Sequence, residues 1–192
     1  MKVKKALHIS SLIVFLLFGQ SATAFDASSL SGCYVTSQYG NLLGPQFTVD
    51  AAGALVPDNS TLVLHGTASV GLVCLDGGVG DPDPQRGIVT EVSATQNIAG
   101  LCVVNYTGSG SYIVDPTGRA AASLSTTIPA DAVLAPGCAQ LGVQAGGQAT
   151  FDYSFALDGQ GCAKAISVSA VGPAGAIPIV TEGEACLQVA PQ

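Results

Sequence analysis

The chain has 192 residues, of which 48% are hydrophobic and only 10% are charged, whereas a typical soluble domain has about 25% charged residues. Its 24 glycines and 10 prolines, with one methionine and no tryptophan, indicate frequent turns and few long helices. Thirteen acidic residues against six basic ones give a net charge of −7. This composition favours an acidic, all-β protein.

The N-terminal residues have the pattern of a secretory signal peptide. Three lysines precede an apolar run at 12–18, and Ala22-Thr23-Ala24 is a small-x-small cleavage site. The apolar run is too short to span a bilayer comfortably, so an uncleaved anchor is the weaker interpretation. We predict a signal peptide over 1–24, a mature chain that begins at Phe25 without an integral membrane segment, and a secreted or periplasmic location.

Cleavage would leave three basic residues against 13 acidic ones, a net charge of −10. Arg86, Arg119 and Lys164 cannot neutralise a run of phosphates, which excludes ordinary nucleic-acid binding. Such an acidic chain is also repelled by anionic membrane surfaces.

The same inventory of side chains restricts catalysis. His65 is the only histidine outside the predicted signal peptide, whereas helical metalloprotease sites need two. The sequence also lacks a Gly-x-x-x-x-Gly-Lys-Ser/Thr phosphate loop and a Gly-x-Ser-x-Gly nucleophile motif. We therefore assign no catalytic, cofactor-binding or metal-binding residue, and no cofactor.

All six cysteines lie in the predicted mature chain, and no two are closer than 24 residues. The Cys-x-x-Cys pattern of zinc and redox sites is missing. An even number of cysteines in an exported protein is typical of a disulfide framework, although sequence alone does not fix the pairing. We predict three disulfides among Cys33, Cys74, Cys102, Cys138, Cys162 and Cys186.

One seven-residue template occurs three times: an aromatic residue, any residue, Val or Leu, Asp, two further residues and Gly. The copies are at 47–53, 112–118 and 155–161, with a looser fourth at 73–80. Asp favours the first position of a type I turn, and Gly favours the left-handed position that closes it. Each copy is therefore predicted to form a hairpin tip, with these structural turn residues: Asp50, Gly53, Asp115, Gly118, Asp158 and Gly161.

Alternation of apolar and polar residues beside these turns predicts a series of strands. They lie near 32–38, 45–50, 53–57, 61–66, 68–76, 87–95, 98–106, 110–115, 118–126, 149–158, 161–171, 177–181 and 184–189. We predict one all-β domain over 25–192, with a long irregular loop at about 128–147. Consecutive hairpins of about eight or more strands favour an antiparallel meander barrel, or a sandwich, because both hide strand edges.

Three segments carry a resemblance: SGCYVTSQYG, GSGSYIVDPTGRAAASLS and FDYSFALDGQG. They resemble the Gly-x-Tyr-x-Val and Asp-Gly-x-Gly hairpins of poorly characterised exported bacterial proteins, which are thought of as lipocalin-like or allene-oxide-cyclase-like barrels. The resemblance covers most of the mature chain in layout and implies a barrel fold. The six cysteines are not a general feature of that pattern.

An acidic Gly/Pro loop is a candidate calcium site, because Asp76, Asp81 and Asp83 supply carboxylate oxygens. In an EF-hand alignment from Asp81, however, Gly87 and Glu91 each miss the required position by one residue. A solvated turn is the stronger interpretation.

His65 is the other candidate for chemistry. Alternation places it on one strand face with Val63, but no local signature selects a Ser or Asp partner for a triad. A structural histidine at the rim is therefore the stronger interpretation. Asn59 and Asn105 lie in glycosylation sequons, which matter only in a eukaryotic secretory route.

Two classes of function remain. The first is an exported, non-catalytic barrel that binds a small apolar ligand or presents its surface to a partner. The alternative is a cofactor-independent barrel enzyme of the cyclase or isomerase type, which uses carboxylates and tyrosines. A filled interior indicates an interaction protein, whereas a cavity of about 300 Å³ or more with an acid, Tyr or His favours the others. An outer-membrane barrel is a third interpretation, disfavoured by six cysteines and few aromatic residues.

Overall fold

The computed structural model describes residues 24–78, 82–158, 160–172, 175–176 and 179–188, with 168, 175 and 176 described by their backbone only. The predicted signal peptide thus lies outside the described residues, except for Ala24. In the described parts of the chain, nine antiparallel strands form one sheet. Their bounds are β1 (Gly32–Val49), β2 (Leu55–Asp76), β3 (Arg86–Ile98), β4 (Cys102–Val114), β5 (Arg119–Thr127), β6 (Gln148–Leu157), β7 (Cys162–Gly172), β8 (Gly175–Ala176) and β9 (Ile179–Leu187).

Eight of these strands close into a barrel. Strands β1 to β7 pair in chain order, β7 also pairs with β9, and β9 pairs with β1. The two-residue strand β8 pairs only with the end of β7. The predicted antiparallel meander barrel is therefore confirmed, and the sandwich is not formed.

Several strands are longer than predicted. β1 takes in the predicted segment 32–38 and most of 45–50, and β2 takes in most of 53–57 with 61–66 and 68–76. β9 joins most of the described parts of 177–181 and 184–189, and residues 177, 178 and 189 lie outside the described residues. The prediction ended strands at Gly, Pro and Asn, which often mark turns. Gly40 instead lies within β1. A Cβ at this position would lie 2.0 Å from the carbonyl oxygen of Val180 in β9. Its missing side chain allows the two strands to approach each other.

The predicted strand 98–106 is wrong at its start. Residues 98–101 lead through the turn between β3 and β4, and β4 begins only at Cys102. Ala99 and Gly100 have positive φ angles of 57° and 69°, which a strand does not contain. Alternation continued through this turn in the sequence and concealed it.

Strands β1 and β2 continue beyond the barrel as a two-stranded arm. Among the described residues, β9 pairs with β1 as far as Leu42, and β3 pairs with β2 from Thr67. The register shifts between Pro45 and Gln46, so that residues 59–61 have no partner in β1. The arm ends in the turn at 50–54.

The predicted framework of three disulfides is confirmed, and no cysteine is free in the described chain. Two bridges join neighbouring strands, one on each side of the β1–β9 pairing that closes the barrel. The third joins the barrel to the segment between β5 and β6. The pairs are Cys33–Cys74 in β1 and β2, Cys162–Cys186 in β7 and β9, and Cys102–Cys138 at the start of β4.

The segment between β5 and β6 contains one short helix, α1 (Pro136–Gln140), which the sequence did not predict. Pro136 stands in the first turn, where its missing N–H group leaves no hydrogen bond unmade. Cys138 is fully buried in this helix and bonded to Cys102. The disulfide therefore holds the segment against the barrel. No helix in the described residues is long and apolar enough to cross a membrane.

Candidate functional site

One end of the barrel is filled by an apolar cluster around Tyr112, which is only 2% exposed. Its hydroxyl donates a hydrogen bond of 2.9 Å to the carbonyl oxygen of Ala27. Ala27 belongs to a 3₁₀ helix, Ala27–Leu30, which the barrel strands bury. Burial raises the pKa of Tyr112 to about 12. The buried members of this lower cluster are Ala27, Leu30, Val89, Val92, Tyr112, Val114, Ala120 and Leu124.

The other end is covered by the α1 segment. A second buried cluster joins Ile98, Cys102 and Val104 of the barrel to Cys138 of the helix. Gln140, at the end of α1, donates a side-chain hydrogen bond to the carbonyl oxygen of Leu55 in the arm. The upper end is thus closed by a loop segment, one disulfide and the arm. Partly buried residues that pack on this upper cluster are Leu42, Ala99, Ile128, Leu134, Leu141 and Val143.

A layer of uncharged polar side chains lies inside the barrel, between its two ends. The Tyr153 hydroxyl donates to Gln38 Oε1 at 3.3 Å, and Gln96 Nε2 donates to the Thr67 hydroxyl at 2.9 Å. The Thr67 hydroxyl in turn donates to a backbone carbonyl of β3. These bonds give partners to polar groups that would destabilise the fold if they were buried without a hydrogen bond. The layer surrounds a small cavity lined by Gln38, Thr67, Ala68, Ser69, Gln96, Tyr106, Phe151, Tyr153, Ser167, Ile179 and Thr181.

That cavity has a volume of about 10 Å³, which is room for one water molecule. Ser167 Oγ is buried at its edge and has no hydrogen-bond partner among the described residues. Burial raises the pKa values of Tyr106 and Tyr153. No Asp, Glu, Lys or Arg is among the buried residues of the described chain. The described interior is therefore filled and uncharged.

The predicted turn residues lie at three hairpin tips. At the tip between β4 and β5, Asp115 Oδ1 accepts hydrogen bonds from the backbone N–H groups of Thr117 and Arg119, at 2.8 and 3.0 Å. The hydrogen bond from the Thr117 hydroxyl lowers the pKa of Asp115. Asp50 and Asp158 accept the equivalent pairs of backbone bonds. The glycines that close these turns have positive φ angles: Gly53 (82°), Gly118 (84°) and Gly161 (90°).

His65 lies in the arm, beside the register shift between Pro45 and Gln46. Its Nε2 donates a hydrogen bond of 2.7 Å to the carbonyl oxygen of Pro45, where the register shifts. Its ring lies 5.5 Å from that of Phe47, measured between centroids. These contacts give His65 a structural position in the arm.

The acidic loop is only partly described, because Asp81 lies outside the described residues. Asp83 forms an ion pair of 3.2 Å with Arg86 and accepts a hydrogen bond from the backbone of Gln85. In the described parts of the chain, no three His, Cys, Asp or Glu side chains gather as metal ligands.

The outer wall of the barrel has two unlike halves. On β3, β4 and β5, many of the outward side chains are exposed hydroxyls, and the large apolar side chains exposed there are Ile88, Val103 and Ile113. The exposed hydroxyls belong to Ser93, Thr95, Thr107, Ser109, Ser111, Ser123, Ser125 and Thr127. The opposite half, formed by β2, β1, β9 and β7, exposes more large apolar side chains.

We call this second surface the Tyr39 face, because the side chain of Tyr39, which is 61% exposed, lies at its centre. In the strand register, Tyr39 lies opposite Glu182 of β9, and Glu182 lies opposite Ile166 of β7. Hydrogen bonding to the neighbouring Glu182 and the charge of its carboxylate raise the pKa of Tyr39. The face comprises Val35, Tyr39, Val70, Ile166, Val180 and Glu182, and all six side chains are exposed.

Two grooves meet at the Tyr39 face. One has a volume of about 570 Å³ and extends from Tyr39 over Glu184 and Lys164 to Arg119. The other has a volume of about 850 Å³ and extends from Tyr39 and Val180 towards the turn between β3 and β4. Tyr39, Ile166 and Glu182 line both grooves. The volume that the described structure offers to a partner therefore lies outside the barrel.

Sequence reasoning did not single out Tyr39 or Glu182. In β1 both alternating sets of residues include apolar side chains, for example Tyr34 and Leu42 in one set and Val35 and Tyr39 in the other. The pattern therefore does not show which set faces the solvent. One feature of the sequence could have indicated this face: β1 contains no charged residue, which is unusual for a strand with a solvent-exposed side.

No protein-family model matches the sequence, and no match is found among curated proteins. Among solved structures, the chain is similar to one described as EF1p2_mFAP2b bound to DFHBI, with 13% sequence identity and a TM-score of 0.43. The alignment covers 87% of this chain and 98% of that chain. A similarity at this level does not bear on what the present barrel binds.

Proposed function

We propose that the protein is an exported, non-catalytic β-barrel that acts as an interaction module through the Tyr39 face. The observation that carries the proposal is the contrast in available space. The interior cavity has about 10 Å³, whereas the grooves beside Tyr39 have about 570 and 850 Å³. Surface grooves of about 580 and 480 Å³ elsewhere lack an exposed aromatic side chain. Tyrosine is also enriched among the residues that dominate binding energy at protein interfaces.

Export is part of the proposal and is supported by three disulfides, which persist in oxidising compartments. The 3₁₀ helix at Ala27–Leu30 follows the predicted cleavage site closely and fills one end of the barrel. A chain that begins at Phe25 would keep this helix. N-terminal sequencing of the exported protein should give Phe25, and thiol titration of the denatured, unreduced protein should find no free cysteine. Two or more free thiols would contradict the disulfide framework.

The cyclase or isomerase alternative gains no support from the site. An enzyme of this type needs a carboxylate beside a tyrosine in a pocket that excludes water. The partly buried tyrosines Tyr106 and Tyr153 line the small cavity with hydroxyl, amide and apolar side chains and no carboxylate. Tyr39 and Glu182 do form a tyrosine–carboxylate pair, but both side chains are exposed on the outer wall.

A neutral fluorescent apolar dye tests whether the interior binds ligand. The oxidised protein is titrated with N-phenyl-1-naphthylamine, and we expect no saturable binding of one dye per barrel. The matched control is Tyr153→Ala, which removes a large side chain from the polar layer and gives the dye space. Saturable binding to the unmodified protein, lost when Ser69→Leu fills the cavity, would overturn the proposal in favour of an interior ligand site.

A further inference from the structure

Three of the four strands that form the Tyr39 face together carry charges of one sign, whereas Lys164 of β7 and Arg119 of β5 line the far part of one groove. Strands β1, β2 and β9 together contain four acidic residues and neither Lys nor Arg. The acids are Asp58, Asp76, Glu182 and Glu184. On the neighbouring strand β7, Lys164 forms an ion pair with Glu184. The pair neutralises Glu184, and the remaining charge on these three strands is negative.

Glu182 is the acid at the centre of the face. It lies in register with Tyr39 on one side and Ile166 on the other, and its side chain is exposed. It forms no ion pair within the described chain. A carboxylate between two large apolar side chains, with no cation of its own, is a ready partner for a Lys or Arg.

The shape of the face suits inserted side chains. The two grooves lie on either side of the Tyr39–Glu182 pair, so a chain that crosses this pair can place side chains in both. The exposed apolar surface also continues along the arm, where Leu62 and Leu64 are 61% and 69% exposed. The exposed apolar surface thus extends from the Tyr39 face, with its two grooves, onto the arm.

We infer that the Tyr39 face binds a polypeptide segment that carries apolar side chains and at least one Lys or Arg, whose cation pairs with Glu182. This inference rests on the proposed function and specifies its partner. A second copy of the chain fits less well, because the Glu182 carboxylates at the centres of two such faces would repel each other. An anionic membrane fits less well for the same reason, since the mature chain would carry a net charge of −10.

Two labelled synthetic peptides of equal length test the inference with the oxidised full chain. One alternates Leu with Lys, and the other alternates Leu with Glu, so that only the sign of the charge differs. Fluorescence anisotropy at low ionic strength should show saturable binding of the Lys peptide. The Glu peptide should bind at least about tenfold more weakly, because it meets like charge. Added salt should weaken binding of the Lys peptide.

Variants locate the binding surface. Glu182→Lys and Tyr39→Ser should each weaken binding of the Lys peptide by about tenfold or more, the scale of an interface hot spot. Asp131→Lys makes the same charge change on an exposed loop residue, and Ile113→Ser removes an apolar side chain that is 49% exposed on β4. Both controls should bind within about twofold of the unmodified protein, as peripheral positions do.

Equal binding of the two peptides, no binding of either, or equal losses in the controls would overturn the inference. So would a dimer, measured by light scattering, that Tyr39→Ser dissociates, or capture by anionic lipid vesicles that Tyr39→Ser abolishes. The dye titration is independent of these outcomes. If neither peptide binds and the dye also stays out, only the nature of the partner is wrong. If the dye enters the barrel, the proposed function itself fails.

Discussion

The interior of the barrel and the Tyr39 face are built by alternate residues of the same strands. On β1, Tyr34 and Thr36 point inward and are 6% and 8% exposed, whereas Val35 and Tyr39 point outward and are 52% and 61% exposed. The inward set packs against both ends of a closed core. The outward set leaves about half or more of its surface open to solvent.

This arrangement separates two roles along each strand. Inward side chains contribute to folding, because they remove apolar surface from water at about 25 cal/mol per Å². Outward side chains on β1, β2 and β9 leave apolar surface in water and are free to contact a partner. Substitutions on one side of a strand should therefore change stability, and those on the other side should change binding.

The largest expected difference comes from two tyrosines on opposite sides of the wall. Tyr112→Ala should lower the free energy of unfolding by about 3–5 kcal/mol, because it leaves a cavity in the lower cluster. Tyr39→Ala should change it by no more than about 0.5 kcal/mol, as is usual at exposed positions. Urea denaturation of the two variants measures both values. Equal losses would show that the Tyr39 face also supports the fold.

The disulfide that holds α1 should matter both for stability and for closure of the interior. Replacing Cys102 and Cys138 by Ala opens a loop with a sequence separation of 36 residues, at a cost of about 2–4 kcal/mol. The matched control replaces Cys33 and Cys74, which are separated by 41 residues but join strands that stay hydrogen-bonded.

Both double variants should lose similar stability in urea, but they should differ in their response to the apolar dye. Only the Cys102/Cys138 variant uncovers the upper cluster, so only that variant should gain dye fluorescence under native conditions. The same gain in the Cys33/Cys74 variant would contradict the view that α1 closes the upper end.

A hairpin tip should give a smaller effect. Gly118 has a φ of 84°, and a Cβ there would lie 2.9 Å from the ring of Phe25. Gly118→Val should therefore cost about 2–3 kcal/mol through backbone strain and crowding. Gly53→Val meets open space at a similar φ of 82° and isolates the strain alone. Asp115→Asn should cost less than about 0.5 kcal/mol, because it keeps the oxygen that accepts the backbone bonds.

The smallest expected effect is a pH dependence of the free energy of unfolding, which is absent at neutral pH and appears only in alkali. Burial raises the pKa of Tyr112 to about 12, above the usual value of about 10. Below pH 10 the phenol is neutral in both folded and unfolded chains and does not make stability depend on pH. Between about pH 10 and 12 the unfolded chain loses the proton first, so stability should fall as the pH rises. Tyr112→Phe should reduce that fall, and an unchanged profile in urea would contradict the assignment.

The sequence identified features of the fold that depend on local chemistry. The repeated template placed hairpin tips at Asp50, Asp115 and Asp158, because turn formation needs only a few neighbouring residues. The alternating pattern and the number of hairpins then favoured a closed antiparallel barrel. The cysteine count indicated three disulfides, but their pairing depends on which strands become neighbours and is not encoded in the spacing.

Features that depend on distant residues were not predictable. Gly40 reads as a turn residue in isolation, and its role in β1 is visible only when β9 lies beside it. The closure of the two barrel ends also depends on segments far apart in sequence, Ala27–Leu30 and Pro136–Gln140. For the same reason, the sequence did not distinguish a filled interior from a hollow one.

Native mass spectrometry of the exported, oxidised protein tests the central claim most directly, because it detects bound molecules without knowledge of their identity. The account predicts the mass of a fully disulfide-bonded chain that begins at Phe25, with no small-molecule adduct, in agreement with an interior cavity of about 10 Å³. A stoichiometric small-molecule adduct that is present in the Tyr39→Ser variant but lost in Ser69→Leu would place a ligand inside the barrel and contradict the account.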